Sequence, residues 1–71
     1  MTKKEAKEKI WAFEFYRNGF HKLSGCDVEV RNIKLRKTKV IADVIFIDND
    51  DISERHNNCE YPIKLLEKVK V

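Results

Sequence analysis

The stretch Val40-Ile41-Ala42-Asp43-Val44-Ile45-Phe46-Ile47 is apolar at seven of its eight positions and rich in β-branched side chains. A run of this length and composition reads as a central strand covered on both faces. One face carries Val40, Ala42, Val44 and Phe46; the other carries Ile41, Asp43, Ile45 and Ile47. Asp43 is the only charge in the run.

Working outward from this strand, the residues before it alternate. Val28 and Val30 point one way, and Asp27, Glu29 and Arg31 the other. After Asn32 the phase flips, so that Ile33 and Leu35 become the apolar positions, and a bulge or strand break near Asn32 is expected. Arg36-Lys37-Thr38-Lys39 is the turn candidate, without the Asn-Gly pair of the tightest hairpins. On the other side, the polar residues 48–58 are expected to form a loop of about eleven residues, long enough to suggest a functional surface. Cys59, Tyr61, Ile63 and Leu65 then alternate as a final strand. Pro62 offers no amide donor, so this strand lies at an edge or begins at the proline. Leu66, Val69 and Val71 continue it or form a terminal turn.

The N-terminal segment has helical period. Thr2 and Glu5 make a capping-box pattern, and Ala6, Ile10, Phe13 and Arg17 share one face, with Trp11 and Phe15 on an adjacent one. Glu5 and Lys9 form a favourable i, i+4 pair. Asn18-Gly19 reads as the stop, which puts the helix at about residues 3–18. Phe20 and Leu23 are expected to fold back on it before a turn at Ser24-Gly25.

These elements assemble into one α+β domain over residues 1–71: an N-terminal amphipathic helix packed across a three- or four-stranded antiparallel β-meander. The alternative is a small β-barrel with an N-terminal helix. The expected core is Ile10, Phe13, Val28, Val30, Val44, Phe46, Ile63 and Leu65, with Trp11 and Tyr61 half exposed at its margin. With 71 residues and 42% apolar composition there is material for one core. Cores of this size rarely leave more than ~3–5 kcal/mol of net stability, so a homodimer or a bound partner is a natural supplement.

Charged residues make up 38% of the chain, but the signs are interspersed and the net charge is only +3, which speaks against disorder. Dedicated nucleic-acid binders of this size are often more one-sidedly basic. The N-terminus is Lys/Glu-rich with no apolar run, and no stretch approaches the ~20 residues of a membrane span. The expectation is a cytoplasmic protein with no membrane partner and with Cys26 and Cys59 reduced.

Chemistry-bearing patterns are few. His21 with Cys26, and His56 with Cys59, supply four residue types that zinc favours, but the His-x4-Cys and His-x2-Cys spacings match no standard finger. The bland reading makes the cysteines small buried hydrophobes and the histidines solvated loop residues. Asp48, Asp50, Asp51 and Glu54 fail as an EF-hand loop, because positions five and six from Asp48 are Ile52 and Ser53. Cys59–His56 and Cys26–His21 lack a recognisable nucleophile signature, and Gly19 and Gly25 cannot make a phosphate-cradling loop. No enzyme activity, metal or cofactor is expected.

One likeness appears over residues 40–66. Val44-Ile45-Phe46-Ile47-Asp48, followed by Glu60-Tyr61-Pro62-Ile63-Lys64-Leu65-Leu66, is similar to the Tudor and related small β-barrel modules. There a strand ending Val-x-Phe-Ile-Asp-Tyr-Gly precedes a strand leading to a leucine. Asn49-Asp50 stands here in place of Tyr-Gly, so the resemblance implies a barrel-like strand arrangement but no aromatic cage.

Two functions follow from these readings. The first is a non-catalytic protein that docks on a larger protein or nucleoprotein, as compact phage or mobile-element inhibitors of host machinery do. The second is a nucleic-acid-binding module built on the basic hairpin 31–39. In either case the working surface is expected at Trp11, Phe15 and Tyr16 together with Arg31, Lys34, Arg36, Lys37 and Lys39, because exposed aromatics beside cations compose binding hot spots. The competing reading packs Trp11 and Phe15 beneath Phe20–Leu23 as additional core.

Overall fold

A computed structural model describes residues 1–70. Its elements are α1 (Lys3–Arg17), a 3₁₀ turn (Phe20–Lys22), β1 (Cys26–Leu35), β2 (Lys39–Asp48), β3 (Asp51–Pro62) and α2 (Ile63–Glu67). The three strands form one antiparallel sheet in the order β1-β2-β3, with α1 packed on one face, an α+β architecture. β1 and β3 are open edges, so the sheet does not close into the barrel allowed as an alternative.

The helix begins where its capping box requires. Thr2 Oγ1 accepts from the Glu5 amide at 3.1 Å, and the Glu5 carboxylate accepts in return from the Thr2 amide. It ends with Asn18 as cap, followed by Gly19 in the left-handed region at φ 72°. Ala6 and Ile10 are fully buried against Val28, Val30, Val40, Ala42, Val44, Phe46, Tyr61 and Leu66.

The phase flip in β1 is a bulge. The register shifts between Arg31 and Lys34, and Asn32 adopts φ 54°. The extra residue returns Ile33 and Leu35 to the side of Val28 and Val30, where both pack against the core.

Several expectations are corrected. The loop expected at residues 48–58 is a two-residue turn, Asn49-Asp50, followed at once by β3. Both turn residues are left-handed, at φ 50° and 68°, as a type I′ hairpin demands, and asparagine and aspartate tolerate that region. The polarity of residues 51–58 reflects an edge strand whose side chains are exposed throughout, rather than a loop. The strand expected through Leu65 stops at Pro62, and α2 begins at Ile63, whose amide donates to the Thr38 carbonyl at 3.0 Å. α2 buries Leu66 completely and leaves Leu65 and Ile63 half-buried. Val71 lies outside the described residues.

Phe13 is half-buried rather than central, Tyr61 is buried to 4% exposure rather than marginal, and Leu23 stands 57% exposed instead of folding back. β2 is central as expected, but only its Val40–Phe46 face meets the helix. On its other face Ile45 is nevertheless fully buried, beside Glu29 of β1 and Arg55 of β3. Among the described residues no helix is long and apolar enough to cross a membrane.

Candidate functional site

The aromatic half of the expected surface forms a connected stack along one side of α1. The Trp11 and Phe15 rings lie 4.5 Å apart and nearly parallel. Phe15 meets Tyr16 edge-on at 5.5 Å and Phe20 at 6.2 Å, and Phe20 in turn meets the core ring Phe46 at 5.7 Å. Trp11 donates from Nε1 to Asp27 Oδ1 at 2.9 Å, and the same oxygen accepts from the Val28 amide at 2.7 Å. The inner rings are therefore fixed at both ends. Trp11 and Phe15 are half-buried, and Phe15 does pack on Phe20. Tyr16 alone reaches solvent freely, at 55% exposure, with the His21 ring 4.9 Å away.

The basic half lies elsewhere. In an antiparallel pair, directly opposed residues share a face. Arg31 opposes Asp43, and Lys34 opposes Ile41, so both belong to the face turned away from α1. Arg31 is held by a two-pronged contact with Glu29, at 2.9 and 3.0 Å, and Lys39 pairs with Glu60 at 2.7 Å. Arg36 and Lys37 sit in the β1–β2 turn, exposed. Trp11, Phe15 and Tyr16 are thus brought together, while Arg31, Lys34 and Lys39 share the opposite face of the sheet, which separates the two groups.

The zinc candidates do not meet. His21 stands in the 3₁₀ turn, His56 in β3, and among the described residues no three His, Cys, Asp or Glu side chains converge in a metal-binding geometry. His56 instead contacts Glu54 at 2.9 Å and the Phe46 ring at 5.5 Å. Both cysteines are half-buried. Burial pushes the Cys59 thiol up, and burial together with the Asp48 carboxylate does the same to Cys26. A thiol held protonated is a poor nucleophile.

Two polar clusters escaped the sequence reading. Glu14 is buried at 4% exposure on α1, where its carboxylate receives Tyr61 Oη at 2.6 Å, Arg17 Nη2 at 2.6 Å and Asn18 Nδ2 at 3.4 Å. With His56 and Cys59 it lines a cleft of 260 Å³ between α1 and β3. Asp43 accepts from Asn32 Nδ2 at 2.7 Å with one oxygen and from the Asn58 amide at 2.9 Å with the other. These bonds, the Asn32 one foremost, hold its carboxyl below the usual carboxylate range. The lone charge in an otherwise apolar strand was the available signal for Asp43. Glu14 offered none, because it stands between two helical faces in sequence. Comparison with protein-family models, with curated proteins and with solved structures found no match.

Proposed function

We propose that this chain is a non-catalytic binding protein that docks on a larger protein or nucleoprotein, as compact phage or mobile-element inhibitors of host machinery do, with Tyr16 leading the contact. The observation that carries this reading is the anchored aromatic stack. Tyr16 is 55% exposed, while Phe15 and Trp11 behind it are held by Phe20 and Asp27. A ring supported in this way loses little freedom on binding, which is the property of a hot spot. His21 beside it extends the patch. The protonated state favoured at both thiols fits a protein without nucleophilic chemistry.

Nucleic-acid binding through residues 31–39 has less support. Arg31 and Lys39 are engaged by Glu29 and Glu60, which weakens the field a phosphate backbone would meet, and no aromatic ring of α1 stands beside them. The test is affinity capture from the native host with the wild-type chain and with Tyr16→Ala, each with and without nuclease. The expected result is a protein partner that survives nuclease and is lost with Tyr16→Ala at an unchanged melting temperature. Capture that persists in Tyr16→Ala, or that nuclease abolishes, overturns the reading.

A further inference from the structure

Both outer strands of the sheet present an open backbone edge, and the two edges are interrupted differently. The pairing of β3 shifts register opposite Ala42–Val44 and again opposite Phe46–Ile47, and the strand ends at Pro62, which has no amide to donate. Bulges and prolines of this kind keep an edge from taking up another strand. β1 shifts only between Arg31 and Lys34, so Cys26–Arg31 is the longest unbroken stretch of open edge. Beside it runs a groove of about 540 Å³, walled by Lys4, Lys7, Glu8 and Trp11 of α1 and by Val28 and Val30. An added strand would find a row of backbone groups there, with a cleft alongside for its side chains.

We propose that Asp27, held in place by Trp11, is a guard that closes this edge to a further strand. The Asn49 amide donates to the Gly25 carbonyl at 2.8 Å, which turns the backbone of Gly25 toward the β2 side. Backbone groups alternate along an antiparallel strand, so those of Asp27, Glu29 and Arg31 also point to β2, and those of Cys26, Val28 and Val30 point outward. The outward amide of Val28 is already taken: it donates to Asp27 Oδ1 at 2.7 Å. The same oxygen accepts from Trp11 Nε1 at 2.9 Å, so α1 pins the carboxylate over the edge. A donor engaged in this way is closed to a strand carbonyl, and the carboxylate, an acceptor only, offers that carbonyl nothing in exchange. The block stands in the middle of the unbroken stretch.

Trp11 has a second task on this reading. Its ring is already stacked on Phe15 at 4.5 Å, so the indole donor is free to orient Asp27. Charged side chains on edge strands ordinarily act from solvent, by disfavouring the approach of another chain. Here the charge occupies a backbone donor directly. Tyr16 takes no part in the contact, so the guard and the docking role stand or fall separately.

Amide hydrogen exchange read by NMR, together with sedimentation equilibrium, tests the guard, with circular dichroism confirming the fold of each variant. The native chain is expected to keep its mass of 8.5 kDa up to millimolar concentration. Asp27→Ala removes the acceptor. In dilute solution its Val28 amide is expected to exchange at least about tenfold faster than in the native chain, the scale of a lost hydrogen bond to a charged group. As concentration rises the variant is expected to associate, and Val28 and Val30 to gain protection together. Asp27→Asn keeps a carbonyl oxygen in the same place and is expected to stay monomeric. Trp11→Phe keeps an aromatic ring beside Phe15 but drops the donor that pins Asp27, and it is expected to move both readings the same way by less; it decides the matter should Asp27→Ala not fold. A Val28 amide whose exchange the variants leave unchanged overturns the proposal. So do variants that remain monomeric, or an Asp27→Asn chain that associates as readily as Asp27→Ala.

Discussion

Tyr61 donates from its hydroxyl to the buried Glu14 carboxylate at 2.6 Å, tying the end of β3 to the last turns of α1 across 47 positions of sequence. The tyrosine hydroxyl is pushed strongly upward, first by burial and then by this bond, so it remains a donor at any ordinary pH. Tyr61→Phe keeps the ring, and its edge contact with Phe13 at 6.1 Å, but removes one donor from a buried carboxylate. The expected loss is about 1.5–3 kcal/mol, the range for hydrogen bonds to charged groups. A urea titration of the purified variant measures it, and an unchanged midpoint would show that Arg17 and Asn18 satisfy Glu14 by themselves.

Asp43 predicts a pH dependence. Its folded carboxyl titrates below its unfolded value, chiefly through Asn32 and then through the Asn58 amide, with burial opposing and Arg55 and Lys34 assisting. A depressed carboxyl contributes stability that is fully present above the unfolded value, near 3.9, and is lost as pH falls through the folded one. Asp43→Asn is therefore expected to lower the urea midpoint at pH 7 and to flatten its decline below about pH 4. Parallel acid profiles for the two chains would remove Asp43 as the cause.

The Asn49-Asp50 turn holds a second left-handed residue where glycine is the preferred choice. Asp50, at φ 68°, carries a side chain into a region that glycine enters without steric penalty. Asp50→Gly is expected to raise stability by up to about 1 kcal/mol, read from the thermal midpoint. A fall would mean that the Asp50 side chain stabilises the hairpin in another way.

Thr2 closes the capping box with Glu5. Thr2→Ala is expected to cost about 1 kcal/mol, while Thr2→Ser leaves stability nearly unchanged. Equal urea midpoints for Thr2→Ala and the native chain would show that the first turn of α1 frays in both.

Local chemistry decided much of this protein from sequence alone. Helix limits follow from backbone donors and acceptors that neighbours within a few positions must satisfy, so Thr2, Glu5, Asn18 and Gly19 sufficed to bound α1. The β1 bulge was legible for the same reason: a period-two pattern that changes phase at Asn32 has to gain a residue there. The apolar run 40–47 likewise declared a central strand. Residues 51–58 were illegible because an edge strand exposed on both sides carries no apolar alternation, and its pairing with β2 is a long-range fact. The burial of Glu14 and Tyr61 depended on each finding the other 47 residues away, and no local pattern encodes such a meeting. The separation of Trp11, Phe15 and Tyr16 from Arg31, Lys34 and Lys39 came from the sheet itself. Which side chains share a face is set by strand register, and register is decided only when the whole sheet closes on its core.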